Sequence, residues 1–226
     1  TASFVFQGGE PTLAGAAFYR RFLALEKQYN PRHIPIRHAM QTNGLRMDRE
    51  LMQVLKDGRF LVGVSVDGTK EIHDSRRVDC EGQGTYDRVM RTLALLQGEG
   101  VDYNVLCVVD RRVAEEAHET FQTLQPHGYL QFIPCMDALD GAQTADSLTA
   151  EAYGVFLCQM FDEYEHTFRK GRYVSIRLFD NWLNMLTGEP PEACNLCGHC
   201  MPSFLTESNG NVYPCDFYAL DEWLLG

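Results

Sequence analysis

The sequence predicts an α/β fold built on a parallel sheet, either open or closed as a barrel. Two observations carry the prediction. Short β-branched or aromatic runs alternate with stretches of helical periodicity, and parallel strands need long crossovers that are normally helices. Several runs also end in Gly, Asn, Asp, Gln or Glu instead of core formers, at the strand ends where parallel α/β folds bind ligands.

The first run, Phe4-Val5-Phe6, leads into Gln7-Gly8-Gly9-Glu10 and a helix over 14–29. The second, Ile34-Pro35-Ile36, is followed by Gln41-Thr42-Asn43-Gly44 and a helix over 47–57. Phe60 to Val64 forms the third and opens onto Ser65-Val66-Asp67-Gly68. A helix over 85–98 then starts at Thr85, a candidate N-cap. It carries Val89, Leu93, Leu95 and Leu96 as its stripe and stops at Gly98 and Gly100. The fourth run, Tyr103 to Val109, precedes a helix over 112–124, and the fifth, Tyr129 to Ile133, ends at Pro134-Cys135-Met136-Asp137. Taken singly, each polar segment makes a tight turn; four at corresponding positions point to a site.

Past residue 140 a polar connector gives way to a helix over 148–168 whose Tyr153, Phe156, Leu157, Met160, Phe161 and Tyr164 read as core packing. A further helix over 178–187 contains Asp180, an N-cap or first-turn acid, and leads through Gly188-Glu189-Pro190-Pro191 into a cysteine cluster. The organisation predicted is a first domain over 1–140, a helical connector over 141–190 and a cysteine-rich domain from 191 to 226. Internal repeats and low-complexity segments are not evident.

Composition narrows the function. A formal net charge of -11 over 226 residues opposes a phosphate-binding face, so nucleic acid is discounted as a partner. Apolar runs fall short of the ~18 to 20 residues that span a bilayer, so the chain reads as soluble, with no membrane partner; the cysteines, below, make it cytoplasmic. It opens in a strand without an initiator Met and stops in the beginning of a helix, and is read as cut at both ends.

Cys80, Cys107, Cys135 and Cys158 lie in apolar or helical stretches and are expected to be buried core thiols. The other four, Cys194, Cys197, Cys200 and Cys215, fall within residues 194–216, and Asp216 follows the last directly. Thiolate metal ligands in a reducing compartment fit this cluster better than a secreted disulfide scaffold. Zinc is one reading, although a zinc ribbon normally has a second paired C-x2-C and Cys215 stands alone.

At the strand ends, Gly8 and Gly9 let a ligand approach the backbone, and Glu10 with nearby carbonyls suits an ammonium group. Ser65 and Arg77 offer a hydroxyl and a guanidinium, suited to a carboxylate. A ligand bearing both groups is an amino acid. The competing reading makes Arg77, in Ser75-Arg76-Arg77, a solvated surface charge.

Gly8-Gly9-Glu10-Pro11, Gln41-Thr42-Asn43-Gly44, Val64-Ser65-Val66-Asp67-Gly68 with Ile72-His73-Asp74, and Gly84-Thr85-Tyr86-Asp87 occur in the order that resembles the radical S-adenosylmethionine superfamily, and more narrowly the anaerobic sulfatase-maturating enzymes. The resemblance covers nearly the whole chain, Gln131-Phe132-Ile133-Pro134-Cys135 and the cysteine tail included. It implies a partial (β/α)6 TIM-like barrel followed by the start of a SPASM or twitch domain that carries auxiliary iron-sulfur clusters. By resemblance, Gly8, Gly9 and Glu10 hold the methionine amino group of S-adenosylmethionine, Ser65 and Arg77 hold its carboxylate, Met136 gives a main-chain contact to the adenosyl group, and Gln7 faces the substrate peptide.

The family's C-x3-C-x2-C motif, which binds the cleaving [4Fe-4S] cluster, is absent from these residues and is expected upstream of Thr1. Three such clusters are expected in the full-length enzyme. Cys194, Cys200 and Cys215 would ligate the first auxiliary one, its fourth ligand lying past Gly226, with Cys197 a bystander or an alternative ligand. The implied reaction oxidises a sulfatase Cys or Ser to Cα-formylglycine without oxygen. A 5′-deoxyadenosyl radical takes a hydrogen atom, Asp216 acts as general base, and the auxiliary cluster accepts the electron. The implied partners are the sulfatase polypeptide and an electron donor such as a ferredoxin or flavodoxin. Rival readings are a peptide-crosslinking relative, forming thioether or carbon-carbon bonds, and a non-catalytic zinc scaffold.

Overall fold

Six parallel strands line up in their sequence order: β1 (Ala2–Phe6), β2 (Ile36–Thr42), β3 (Phe60–Ser65), β4 (Tyr103–Val109), β5 (Tyr129–Pro134) and β6 (Ser175–Ile176). This arrangement comes from a computed structural model of the chain, which describes residues 1–137 and 141–226. The order never reverses. A doubly wound sheet reverses at a switch point and places helices on both faces, whereas unreversed right-handed crossovers keep every helix on one face, as in a barrel wall.

Burial follows that geometry. The ladder Met40–Val62 and the rows through Thr42, Val64, Val105 and Leu130, and through Cys107 and Phe132, are buried beneath the helices. On the other face Val5 and Leu61 are 53% and 44% exposed. One helix-covered face and one open face make a six-stranded wall of a TIM-like barrel, the partial barrel expected.

The crossovers are α1 (Gly15–Tyr29), α2 (Arg49–Asp57), α3 (Lys70–Arg76), α4 (Tyr86–Glu99), α5 (Arg111–Glu115), α6 (Ala117–Leu124) and α7 (Ala150–Arg169). Side-chain caps start several of them: Asp48 on the Leu51 N–H (2.8 Å), Asp110 on the Val113 N–H (2.9 Å) and Thr149 on the Ala152 N–H (3.1 Å). Thr85 is the N-cap of α4 as expected, but its side chain does not do the capping. Its hydroxyl donates to the Arg77 carbonyl, and Asp74 accepts from the Tyr86 N–H at 2.8 Å instead.

That substitution of cap explains a glycine. A Cβ on Gly84 would lie 2.3 Å from Asp74 Cγ, whose carboxylate is already committed to the Tyr86 N–H. Gly84→Ala should therefore lower stability by roughly 1–3 kcal/mol through overpacking and a disturbed cap. Urea unfolding measures it, and an unchanged midpoint would contradict this packing.

Three other expectations are corrected. The second strand is Ile36–Thr42, not Ile34 to Ile36, so Gln41 and Thr42 end the strand instead of following it. The helix over 112–124 is two, broken where Glu116 takes φ -110°, ψ 44°. Of the four scattered cysteines only Cys107 is buried. Cys80 sits in a turn, Cys135 follows β5, Cys158 lies on the outer side of α7, and all three are exposed. The α7 stripe does pack inward at Phe156, Met160 and Tyr164, while Phe161 is 41% exposed.

The chain divides into two compact units, Thr1–Phe179 and Asp180–Gly226. The division falls inside the segment read as a connector, and the boundary drawn at residue 140 lies among residues 138–140, outside those described. Helix α8 (Arg177–Leu186) straddles the division, with Asp180 in its first turn as expected. The second unit holds α9 (Cys194–Cys197) and the antiparallel pair β7 (Leu205–Thr206) and β8 (Val212–Tyr213). Gly210 closes the hairpin turn at φ +94°, where a side chain is strained. Leu225 and Gly226 hydrogen-bond to Val212 beside β8.

Candidate functional site

Because β1 to β5 are parallel neighbours, their C-terminal ends form one rim. The segments after β1, β2, β3 and β5 are those singled out from sequence. Gly8 and Gly9 adopt φ of +82° and +54°, and a Cβ on either would meet nothing within 4 Å. They keep the backbone open and exposed after β1, and any other residue would be strained there.

Glu10 fastens this segment to the next. Its Oε1 accepts from the Thr12 N–H (3.0 Å), the Thr12 hydroxyl (2.6 Å) and the Thr42 hydroxyl (2.7 Å), and Oε2 accepts from the Asn43 N–H (2.8 Å). The carboxylate that sequence reasoning saw as an ammonium ligand is thus first a clasp between the β1 and β2 ends. Oε2, with a single bond, is the oxygen with room for another donor. Burial, and then the charge of Glu10, push the Tyr19 hydroxyl up to about 12. Tyr19 donates to the Pro11 carbonyl beneath the clasp.

After β3 the rim is anchored by a buried acid. Asp67, 3% exposed, accepts from Arg77 Nε on Oδ2 (2.5 Å), and on Oδ1 from Arg77 Nη2 (3.2 Å) and the Val108 N–H (2.9 Å). The pair joins the β3 loop to α3 and to β4. Arg77 is therefore not a solvated surface charge. Its Nη1 makes no hydrogen bond among the described residues, which leaves a donor for a ligand. Ser65 ends β3 on the open face, half-buried, in register with Leu106. Next to Arg77, Arg76 pairs with Asp110 after β4 and with Asp146 at 3.6 Å. A bridge between Val78 and Gly84 then pinches off the loop that carries Cys80.

His73 is fully buried behind this pair, and its pKa lies below the ordinary value. Burial is the larger cause and the Arg77 charge adds to it; Asp67 and Asp74 pull the other way. A depressed histidine favours the folded state above the unfolded pKa of about 6.5, and that contribution is lost as pH falls through the folded value. Stability to urea should therefore fall as the pH drops below about 6.5. His73→Phe should flatten that part of the profile, and an equally steep profile in the variant would assign the drop to other groups.

Met136 lies past β5 and is 79% exposed; Gln7 is exposed at the end of β1. In the second unit all four clustered cysteines are free thiols. Cys197 donates to the Ala193 (3.4 Å) and Pro191 (3.6 Å) carbonyls. Cys215 donates to Asp216 Oδ1 at 3.1 Å, and Asp216 is exposed at the start of a short 3-10 turn. Among the described residues no three His, Cys, Asp or Glu side chains converge as metal ligands. The thiols have the right chemistry for a cluster, but Cys194, Cys200 and Cys215 are not gathered into one. No described helix is long and apolar enough to cross a membrane.

Sequence reasoning assigned no role to Thr12, Thr42, Asp67, His73 or Asp74, and read Thr85 only as an N-cap. The available signal was that most of them fall inside the quoted motifs, where an Asp or His with no ligand to hold is a candidate second layer.

A singly wound parallel sheet whose strand ends carry open glycine backbone, Glu10 and an Asp67–Arg77 pair defines the class. The family model of the radical SAM superfamily matches residues 1–124, and the chain belongs to that superfamily. Within it, the chain is 41% identical over 99% of its length to a cysteine-type anaerobic sulfatase-maturating enzyme of Clostridium novyi, and 32% identical, again over 99%, to a serine-type one of Bacteroides thetaiotaomicron. It spans 61% and 58% of those relatives. A solved structure of native anSMEcpe with bound AdoMet and Kp18Cys peptide superposes with TM-score 0.93 at 40% identity, covering 99% of this chain and 63% of that one. Streptococcus suis SuiB bound to S-adenosylmethionine, at 13% identity and TM-score 0.61 over 98% of this chain and 51% of that one, shares the fold.

Proposed function

We propose that this chain is the core of an anaerobic sulfatase-maturating enzyme that binds S-adenosylmethionine and oxidises a Cys or Ser of a sulfatase to Cα-formylglycine. The observation that carries the reading is the rim: open glycine backbone and Glu10 at one strand end, and Arg77, held by Asp67, two strands away. Together these suit the ammonium and carboxylate of one amino acid. The similarity to cysteine- and serine-type maturating enzymes at 41% and 32% identity supports the substrate class.

In this reading S-adenosylmethionine, cleaved with an electron from an iron-sulfur cluster, supplies the acceptor of a hydrogen atom from the substrate Cβ. The chain's own residues bind, orient and move protons. Gly8, Gly9 and Glu10 take the ammonium, Ser65 and Arg77 the carboxylate, Met136 the adenosyl group through its main chain, and Gln7 the peptide. Asp216 takes the proton from the substrate thiol or hydroxyl. For cysteine, loss of two electrons and two protons gives a thioaldehyde, which water converts to the aldehyde with release of hydrogen sulfide. The thiols of Cys194, Cys200 and Cys215 would hold an auxiliary cluster, an assignment supported by the family pattern. A ferredoxin or flavodoxin would supply electrons, in the cytoplasm.

The full-length protein, purified anaerobically and incubated with S-adenosylmethionine, a reductant and a sulfatase-derived peptide, should yield an aldehyde that hydrazines trap. A crosslinked peptide would replace this reading with the thioether or carbon-carbon alternative. Iron with acid-labile sulfide is expected in the protein. Stoichiometric zinc without iron would support the scaffold instead.

A further inference from the structure

Behind Arg77 runs a closed circuit of hydrogen bonds. The Asp67 N–H donates to His73 Nδ1 at 3.2 Å, and His73 Nε2 lies 3.1 Å from Thr85 Oγ1. The Thr85 hydroxyl donates to the Arg77 carbonyl at 2.7 Å, and the Arg77 guanidinium returns to the Asp67 carboxylate. The backbones are tied as well: the Arg77 N–H donates to the His73 carbonyl (2.8 Å) and the Thr85 N–H to the Arg77 carbonyl (3.1 Å).

The circuit fixes every proton. Nδ1 faces an N–H and must be bare, so the single ring proton sits on Nε2 and donates to Thr85, whose own proton is left for the carbonyl. An imidazolium would aim a second N–H at the Asp67 N–H. His73 and Thr85 are 0% and 2% exposed, so neither can turn to water for a substitute partner. The edge of the Tyr86 ring, centroids 5.6 Å apart, closes the remaining side.

We propose that His73, through Thr85, is a positioning residue for Arg77: the neutral Nε2–H imidazole holds the backbone at both ends of the Asp67–Arg77 ion pair and so sets where the guanidinium meets the carboxylate of the bound cofactor. The proposal rests on the reading of Arg77 as a ligand for the carboxylate of S-adenosylmethionine. His73 reaches no ligand itself. Its effect passes through Arg77 alone and is specific to one functional group of the ligand.

That specificity provides the test. The full-length, cluster-loaded protein is titrated calorimetrically with S-adenosylmethionine and with its decarboxylated analogue. His73→Phe, which fills the volume and removes both hydrogen bonds, should weaken S-adenosylmethionine binding by about tenfold or more and leave the analogue within about twofold of wild type. His73→Asn keeps an acceptor near the Nδ1 position and His73→Gln a donor near Nε2. Each should recover part of the loss, and they remain usable should the Phe variant fold poorly. Arg77→Gln separates this inference from the reading beneath it. If Arg77→Gln binds S-adenosylmethionine like wild type, Arg77 is not a carboxylate ligand and both fall. If Arg77→Gln shows the carboxylate-specific loss while the His73 variants weaken both ligands equally, or neither, the positioning role is overturned and the reading of Arg77 stands.

Discussion

Asp216→Asn in the full-length, cluster-loaded enzyme should cut peptide oxidation by about 10²- to 10⁴-fold, the range for removing a general base, while S-adenosylmethionine cleavage continues. The two activities should separate because the residues proposed to hold the cofactor lie at strand ends of the first unit, whereas residue 216 belongs to the second unit and opens a 3-10 turn there. Asparagine fits the same turn and still accepts a hydrogen bond, so the fold should survive and the loss should be chemical. Asp216 Oδ1 accepts from the Cys215 thiol at 3.1 Å, a bond that is lost whenever that sulfur is a deprotonated metal ligand. Cleavage measured as 5′-deoxyadenosine and oxidation measured as peptide aldehyde give the comparison. Equal aldehyde yield from the variant would remove Asp216 from the mechanism.

Asp67→Asn should be the most damaging single substitution on the rim. It leaves the Arg77 guanidinium, 28% exposed, without its counter-charge, and turns one oxygen among three donors into another donor. Breaking a buried pair costs about 3–5 kcal/mol. Water reaching Arg77 reduces that here to about 2–3 kcal/mol. Urea unfolding should register the loss, and S-adenosylmethionine affinity should fall with it. Full stability in the variant would mean that the Val108 and Arg77 contacts are replaceable and that the rim is not built on this acid.

The strands with clean apolar patterns were the legible part of the fold. Phe60 to Val64 and Tyr103 to Val109 were located to within a residue because nearly every helix-facing position in them is apolar. β2 was misplaced because His38, Arg37 and Gln41 interrupt its pattern. His38 is nevertheless packed within the sheet, stacked on Phe60 with centroids 4.8 Å apart and bonded to Glu26 and the Gly58 carbonyl. α3 and β6, at seven and two residues, are too short to show a period. At the site, ligand-type residues after strands could be read directly, since no core role competes for Gly8 or Gly9. Their supports could not. Thr42 reaches Glu10 across 32 positions, a pairing set by strand register, while Thr12, His73 and Thr85 find partners 2 to 8 positions away through loop conformations that no periodicity marks. The cysteine exposures failed for a related reason, because a thiol suits a core and a surface about equally and burial depends on which side of α7 or of a turn it falls.

The Val78–Gly84 bridge separates two kinds of evolutionary freedom. Upstream of it, residues 67 to 77 are bonded at nearly every turn and tolerate little change in length. Between its two ends the chain leaves and returns at a fixed gap, so insertions or deletions around Cys80 to Gly82 leave the guanidinium where it was. A fluorophore attached to the exposed Cys80 would therefore report on the neighbourhood while leaving the Asp67–Arg77 pair in place.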